Sequence, residues 1–393
     1  MTIVIDGSGS ITGISAGGLP DNSVTSADIA SSAVTVSKID TTVSQLFGMR
    51  NRIINGAMVI DQRNAGASVT PSNGQYTLDR WTAQVSQASK YTIQQNAAAV
   101  TPPAGYSKYL GVTSSSAYAI TASDIFTIYQ GVEGLNITDL AWGTASAQTI
   151  TISFWVRSSL TGTFGGVVQN SAQDRSYPYT YTISVANTWE QKSVTIAGDT
   201  SGTWLTTNGV GLRLFVGLGV GSTYSGTAGA WSGSTLYSAT GATSVVGTNG
   251  ATFYITGVQL ELGSTATPFE RRLYDKELIS CQRYYYRLKA TASYQMIGTG
   301  FAEVSTLSYA FVKFPVTMRT NPTALESSGT NSNYFIIYQN QSTACTATPS
   351  FYQTMTNEGC GVYLTCAALL TSGNGIAHRI DVSGAYLGWS AEL

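Results

Sequence analysis

The chain has 393 residues, a formal net charge of −1 and only 10 % charged residues, against about 25 % in an average soluble domain. A pI of 5.9 without a basic patch argues against a nucleic-acid partner or an anionic membrane surface. No apolar run reaches the roughly 18 residues that span a bilayer, and the N-terminus lacks the basic and apolar regions of a secretory signal. We therefore expect a chain made in the cytoplasm, without membrane insertion, and two or three domains.

Residues 1–46 contain no aromatic side chain and carry a ten-residue repeat, in which residues 24–33 match residues 34–43. Apolar side chains recur every five residues, which is the period of neither a helix nor a strand. A segment of this kind needs neighbours to bury its apolar row. We predict a thin shaft wound from three copies of the chain, and the alternative is a flexible Ser/Thr linker. The axial positions of the shaft are Val24, Ile29, Val34 and Ile39.

Residues 47–272 read as a first globular domain, because short apolar–polar runs recur with turn residues between them. Helical periodicity is almost absent. The pattern predicts an antiparallel β-sandwich of the jelly-roll kind. The strand candidates are residues 149–157, 180–185, 193–196, 211–216 and 252–262.

Residues 219–250 are rich in Gly, Ser, Thr and Ala and are longer than an ordinary loop. They form either strands weakened by glycine or an exposed functional loop. Tyr224, Trp231 and Tyr237 lie in this stretch, and the glycine-rich setting favours their exposure. Large rigid rings with a polar tip suit recognition of sugars, so these three are the candidate ligand contacts, with ordinary packing as the alternative.

Residues 273–393 are expected to form a short helix and a smaller C-terminal β-sandwich. The helix is predicted over residues 273–280, with Leu273, Leu278 and Ile279 on one side. The predicted fold class is therefore all-β, with two jelly-roll-like β-sandwich domains behind a short fibrous N-terminal segment (1–46) and one linking helix. Strand candidates of the second sandwich are residues 284–288, 309–314, 334–338, 361–366 and 376–382.

The sequence singles out no catalytic residue, metal site or cofactor motif. His378 is the only histidine; it lies in an alternating strand pattern, which predicts a half-buried or surface position. Carboxylates are scattered, so none stands out as a glycosidase pair. The four cysteines, Cys281, Cys345, Cys360 and Cys366, are expected to be buried apolar thiols. The alternative is a disulfide bond between Cys360 and Cys366.

A series of phrases resembles the bacteriophage tail-fibre and receptor-binding protein family. The block NRIINGAMVIDQRN at residues 51–64 precedes YTLDRW at 76–81, and ITGVQLELG at 255–263 precedes TPFERR at 267–272. The segment ELISCQRYY at 277–285 follows in the same order. In that family these phrases bracket a β-sandwich similar to carbohydrate-binding modules, and the N-terminal repeat resembles fibre shaft segments.

The resemblance implies a homotrimer located in the virion as a tail fibre, docked on other virion proteins through its N-terminal segment. It implies attachment to a host cell-surface glycan or lipopolysaccharide, and no catalytic residues. Alternatives are a capsid (head) fibre or decoration protein, a polysaccharide-degrading tailspike, and a bacterial carbohydrate-binding module. We also expect Asp79 and Arg80 to form buried or interface pairs that fix register.

Overall fold

The computed structural model describes residues 49–393 and two short N-terminal strands. The chain divides into two compact units, Met1–Arg50 and Asn51–Leu393. In the first unit, β1 (Val4–Ile5) pairs antiparallel with β2 (Ile11–Thr12). The predicted axial shaft positions, Val24, Ile29, Val34 and Ile39, lie outside the described residues.

The second unit begins with a β-sandwich. Its strands are β3 (Gln75–Leu78), β4 (Trp81–Val85), β5 (Tyr91–Gln95), β6 (Leu110–Ser114), β7 (Ile125–Glu133), β8 (Ile150–Ser158), β9 (Gly162–Asn170), β10 (Ser176–Ile183), β11 (Glu190–Ile196), β12 (Val210–Val220), β13 (Ser225–Gly226), β14 (Ser238–Ala239) and β15 (Thr252–Leu262). One sheet has six strands in the order β10-β9-β12-β7-β4-β3, and the other has five in the order β11-β8-β15-β6-β5. Neighbouring strands in both sheets are antiparallel, while β13 and β14 form a small parallel pair.

The core of this sandwich lies between the two sheets, and the alternating strand patterns explain it. Because successive side chains point to opposite faces, β8 buries Ile152 and Phe154 at no more than 1 % exposure, and β12 does the same with Leu212 and Leu214. The predicted strand over residues 252–262 coincides with β15. Burying a side chain of this size contributes roughly 1.5–3 kcal/mol.

The single α-helix found in the described residues, α1 (Tyr274–Gln282), lies close to where it was predicted. The prediction that Leu273 and Ile279 lie on its buried apolar side is wrong, because Leu273 is 72 % and Ile279 is 44 % exposed. The buried face carries Cys281 and Glu277 instead. Glu277 accepts a hydrogen bond from the backbone of Asn55, so a paired carboxylate takes the place of an apolar contact.

A second sandwich follows the helix. Its strands are β16 (Tyr285–Lys289), β17 (Gln295–Val304), β18 (Leu307–Lys313), β19 (Ala324–Ser327), β20 (Tyr334–Tyr338), β21 (Gln341–Ala344), β22 (Ser350–Met355), β23 (Gly359–Thr365), β24 (Gly375–Ile380) and β25 (Tyr386–Ser390). A three-stranded sheet, β16-β25-β19, faces a seven-stranded sheet, β21-β20-β24-β17-β18-β23-β22. Short 3-10 helices at Ala97–Ala99, Gly134–Asn136, Thr138–Leu140, Ser222–Tyr224 and Asn331–Asn333 connect strands in the two sandwiches.

The structure confirms the all-β fold class with two sandwiches and one linking helix. The predicted domain boundaries, after residues 46 and 272, stay a prediction. No helix in the described part of the chain is long and apolar enough to cross a membrane.

The four cysteines are buried and free, which confirms the expected buried thiols. The expected half-buried or surface position of His378 is wrong. It is fully buried at 0 % exposure, because it shares the core face of β24 with Ile376 and Ile380. Its Nε2 atom lies 2.7 Å from the hydroxyl oxygen of Ser308.

Ion pairs connect the first sandwich to the second sandwich and to the C-terminal end of α1. Arg80, 1 % exposed, pairs with Glu392, and Arg283 pairs with Glu133 across 2.6 Å. Asp79, also 1 % exposed, accepts hydrogen bonds of 2.6 Å from the backbone and side-chain nitrogens of Gln62. The expected burial of Asp79 and Arg80 is confirmed, and they pair with other residues rather than with each other.

Candidate functional site

The outer face of the six-stranded sheet carries an aromatic row. On β12, Leu212, Leu214 and Val216 point into the core, so Arg213 and Phe215 point outward. The cross-strand register places Thr82, Tyr129 and Phe215 side by side on β4, β7 and β12. In this row Tyr129 is half-buried, whereas Thr82 and Phe215 are each 1 % exposed.

The glycine-rich segment, residues 219–250, covers part of this face where its strand β14 lies on the sheet. Gly165 on β9 and Gly217 on β12 make the close approach possible. A Cβ atom at Gly165 would lie 2.7 Å, and one at Gly217 would lie 2.8 Å, from the hydroxyl oxygen of Ser238. The segment packs Leu236 and Tyr237 against Phe215 and Val167 in a second apolar cluster. The rest of the face stays open beside this cluster.

The open part is a cleft of about 140 Å³. Its aromatic wall is continuous, because the ring centroids of Tyr129 and Phe215 are 4.7 Å apart and those of Phe215 and Tyr237 are 5.1 Å apart. The other lining residues are polar or small: Asn73, Gly74, Gln84, Gln173 and Arg213. The cleft thus combines ring surfaces with amides and one guanidinium.

Hydrogen bonds fix the polar groups of the cleft. The Tyr237 hydroxyl donates to Oε1 of Gln173 at 3.1 Å, and Nη1 of Arg213 donates to the carbonyl oxygens of Asn170 and Ser171 at 3.3 and 3.2 Å. Burial raises the pKa of Tyr129, with Arg213 acting in the opposite direction. Tyr129 is therefore a neutral hydroxyl at physiological pH, able both to donate and to accept.

The three sequence-predicted ligand residues have different surroundings. Tyr237 is 6 % exposed, so its expected exposure is wrong, although its edge lines the cleft. Tyr224 is half-buried and packs on Tyr237 with the ring centroids 5.5 Å apart. The half-buried Trp231 packs against Trp142 and Trp204 at the sandwich core and is absent from the cleft lining. Ligand contact by these residues stays a prediction.

Sequence reasoning missed Tyr129, Arg213, Gln84 and Gln173. One signal was present for Tyr129, since Phe126 and Ile128 alternate with it and mark the opposite face as the core side. No pattern along one strand could show that side chains from β4, β7 and β12 line the same cleft. Within the part of the chain that the structure describes, no group of three or more His, Cys, Asp or Glu could hold a metal ion.

No family model matches this chain, and no curated protein matches its sequence. Among solved structures, the enzymatically active domain of bacteriophage CBA120 tailspike protein 4 is similar at 12 % identity with a TM-score of 0.29, over 54 % of this chain and 21 % of that one. A putative sugar binding protein from Bacteroides thetaiotaomicron VPI-5482 is similar at 14 % identity with a TM-score of 0.31, over 55 % of this chain and 100 % of that one.

A family 11 carbohydrate-binding module from Clostridium thermocellum, solved in complex with a β-1,3-1,4-mixed-linked tetrasaccharide, is similar at 10 % identity with a TM-score of 0.26. This match covers 52 % of this chain and all of that module. All three TM-scores lie below 0.5, and the function proposed below therefore depends on the cleft itself.

Proposed function

We propose that this chain is a structural, non-enzymatic attachment protein of a tailed-phage virion, a homotrimeric tail fibre that binds a host-surface glycan. The observation that carries the glycan part is the cleft on the six-stranded sheet, where the rings of Tyr129 and Tyr237 meet Arg213 and two glutamine amides. The virion part is supported by the family-like phrases at residues 51–64 and 255–272.

The chemistry of the cleft suits a sugar ring. A pyranose has an apolar CH face, which packs on an aromatic face, and a rim of hydroxyls, which need donors and acceptors in one plane. Tyr129 offers the aromatic face, while Arg213, Gln84 and Gln173 offer the hydrogen-bond donors and acceptors. The residues that line the cleft include no carboxylate, whereas glycoside hydrolysis uses a pair of them. These groups bind a sugar without cleaving it.

The small size of the cleft supports a multivalent protein. Its volume of about 140 Å³ is below the roughly 300–1,000 Å³ of sites that enclose a drug-sized ligand. One cleft can therefore hold only a small part of a glycan and binds it weakly. Three copies on one fibre, and several fibres on one particle, would raise the overall avidity by factors of about 10² to 10⁴.

The test is binding of the purified chain to an array of bacterial surface polysaccharides and lipopolysaccharides. We expect Tyr129→Ala to weaken binding at least tenfold, because it removes the ring surface. Tyr274→Ala is the matched control, since Tyr274 is 64 % exposed on α1 and lies outside the cleft. Equal binding by wild type and Tyr129→Ala, or no binding by wild type, would refute the proposal.

A further inference from the structure

A second, larger pocket lies between the two sandwiches. It has a volume of about 330 Å³. The first sandwich contributes Tyr76 on β3, and the second contributes Arg287 on β16, Glu326 on β19 and Tyr386 on β25. The remaining lining residues are Arg63, Asn64, Gly74, Gln75, Ala324 and Ser390. The pocket exists only because the two sandwiches pack together.

This interdomain pocket adjoins the cleft. Gly74 lines both, and no atom lies within 4 Å of the position that a Cβ would take there. The register also places Tyr76, Thr82 and Tyr129 side by side on β3, β4 and β7. Since neighbouring strands are about 4.8 Å apart, the tyrosine of the pocket and the tyrosine of the cleft are separated by about 10 Å on the same face. An extended ligand can reach both.

The most accessible ion in the pocket is the carboxylate of Glu326, whose side chain is 36 % exposed. Its oxygens already accept from Nη1 of Arg63 at 3.1 Å, the Tyr285 hydroxyl at 2.6 Å and Nη2 of Arg287 at 3.3 Å. These hydrogen bonds hold the carboxylate in place, and the two arginines compensate its negative charge. Its two oxygens offer about four acceptor sites, which leaves room for a ligand hydroxyl.

The two cations of the pocket are withdrawn from solvent. The side chains of Arg63 and Arg287 are 8 % and 9 % exposed, and the Arg287 guanidinium stacks 3.7 Å from the centroid of the Tyr386 ring. An anionic sugar would meet the exposed carboxylate before either cation. A neutral sugar can donate one hydroxyl to that carboxylate and lie beside the Tyr386 ring.

We infer that the interdomain pocket is a second subsite of the glycan cleft, and that the ligand is an extended chain of neutral sugars. The glycan runs from Tyr129 past Gly74, and a later unit donates one hydroxyl to Glu326 beside Tyr386. This inference rests on the proposed function. It makes the second sandwich part of the binding site and sets a minimum length for a tight ligand.

The probes are fragments of two and of six sugar units, cut from whichever neutral polysaccharide on the array binds most tightly. We expect the six-unit fragment to bind wild type at least tenfold more tightly than the two-unit fragment. Tyr386→Ala should remove that advantage. Tyr386→Phe is the matched control, because it keeps the ring that stacks on Arg287. Ala324→Trp, at an exposed position of the lining, fills the pocket without removing a contact and should act like Tyr386→Ala.

Each result decides the inference. Equal affinity for the two fragments, or an unchanged length advantage in both Tyr386→Ala and Ala324→Trp, overturns the second subsite; loss of binding in Tyr129→Ala would then leave the proposed function standing. Preferential binding of anionic polysaccharides over every neutral one overturns the ligand class. If no polysaccharide binds wild type, both proposals fail.

Discussion

His378 makes the stability of the second sandwich depend on pH. It is the only histidine in the chain and is fully buried. Its Nε2 atom contacts the Ser308 hydroxyl, and its Nδ1 atom has no hydrogen-bond partner among the described residues. Burial lowers the pKa of His378 to about 3, because the charged imidazolium would be desolvated there. The folded protein therefore keeps the ring neutral well below physiological pH.

The sign and size of the effect follow from the two pKa values. In the unfolded chain the ring titrates near 6.5, so between pH 6.5 and 3 the unfolded state binds a proton that the folded state does not. The contribution of His378 to stability is complete above pH 6.5 and is lost as the pH falls. At about 1.4 kcal/mol per unit of pH, lowering the pH to 5.0 removes about 2 kcal/mol from the free energy of unfolding.

The assay compares wild type with His378→Gln, whose amide can still bond to Ser308 but does not titrate. Urea unfolding at pH 7.5 and 5.0 gives the change in unfolding free energy for each protein. We expect wild type to lose about 2 kcal/mol more than the variant. The buried carboxyl of Asp79, whose pKa burial raises to about 6, shifts stability in the opposite direction, but it is present in both proteins and cancels.

NMR measures the protonation state of His378 independently, since one histidine produces one set of imidazole signals. We expect these signals to stay at their neutral positions down to pH 4.5 in the folded protein. Equal pH dependence of wild type and His378→Gln, or a titration near pH 6.5, would show that His378 is not held neutral by burial.

Three further results are expected. Arg80→Ala should lower the free energy of unfolding by about 3–5 kcal/mol, because it breaks the buried pair with Glu392; a thermal melt within a degree of wild type would contradict this. Gly166→Ala should cost about 1–3 kcal/mol, because a Cβ there overlaps the Phe215 carbonyl oxygen, whereas Gly375→Ala meets no atom within 4 Å and should be nearly neutral in the same urea assay. Light scattering of the purified chain should give a molar mass of about three times 41.4 kDa. The mass of a monomer would contradict the predicted three-chain shaft for the isolated protein.

Strands with strong alternation were predictable from the sequence, and strands rich in glycine were not. The patterns of residues 149–157 and 252–262 predicted β8 and β15. The core side chains of β8 recur at every second position, and those of β15 do so on either side of a register shift between Thr256 and Gln259. No strand was predicted over β9, whose Gly165 and Gly166 weaken the strand signal. Gly165 also admits the segment that bounds the cleft, together with Gly217 on β12, so the missed strand and the missed site share one glycine.

The burial of individual side chains was harder to predict, because it depends on contacts between segments that are distant in the sequence. Tyr237 was expected to be exposed because it lies in a glycine-rich stretch, yet Gly165 and Gly217 let its segment lie on the sheet. For His378 the pattern did contain the answer, since it alternates in phase with Ile376 and Ile380. A polar residue in phase with core isoleucines belongs to the core when a partner such as Ser308 is available.

The proposed function requires that the cleft on the six-stranded sheet binds sugar. The most direct measurement is a crystal structure of the chain with the six-unit fragment of the tightest-binding polysaccharide. We expect a sugar ring packed on Tyr129 with a hydroxyl bonded to Arg213. Sugar density at another surface, such as the exposed aromatic side chains Phe301 and Phe311 of the seven-stranded sheet, with an empty cleft, would contradict sugar binding in the cleft.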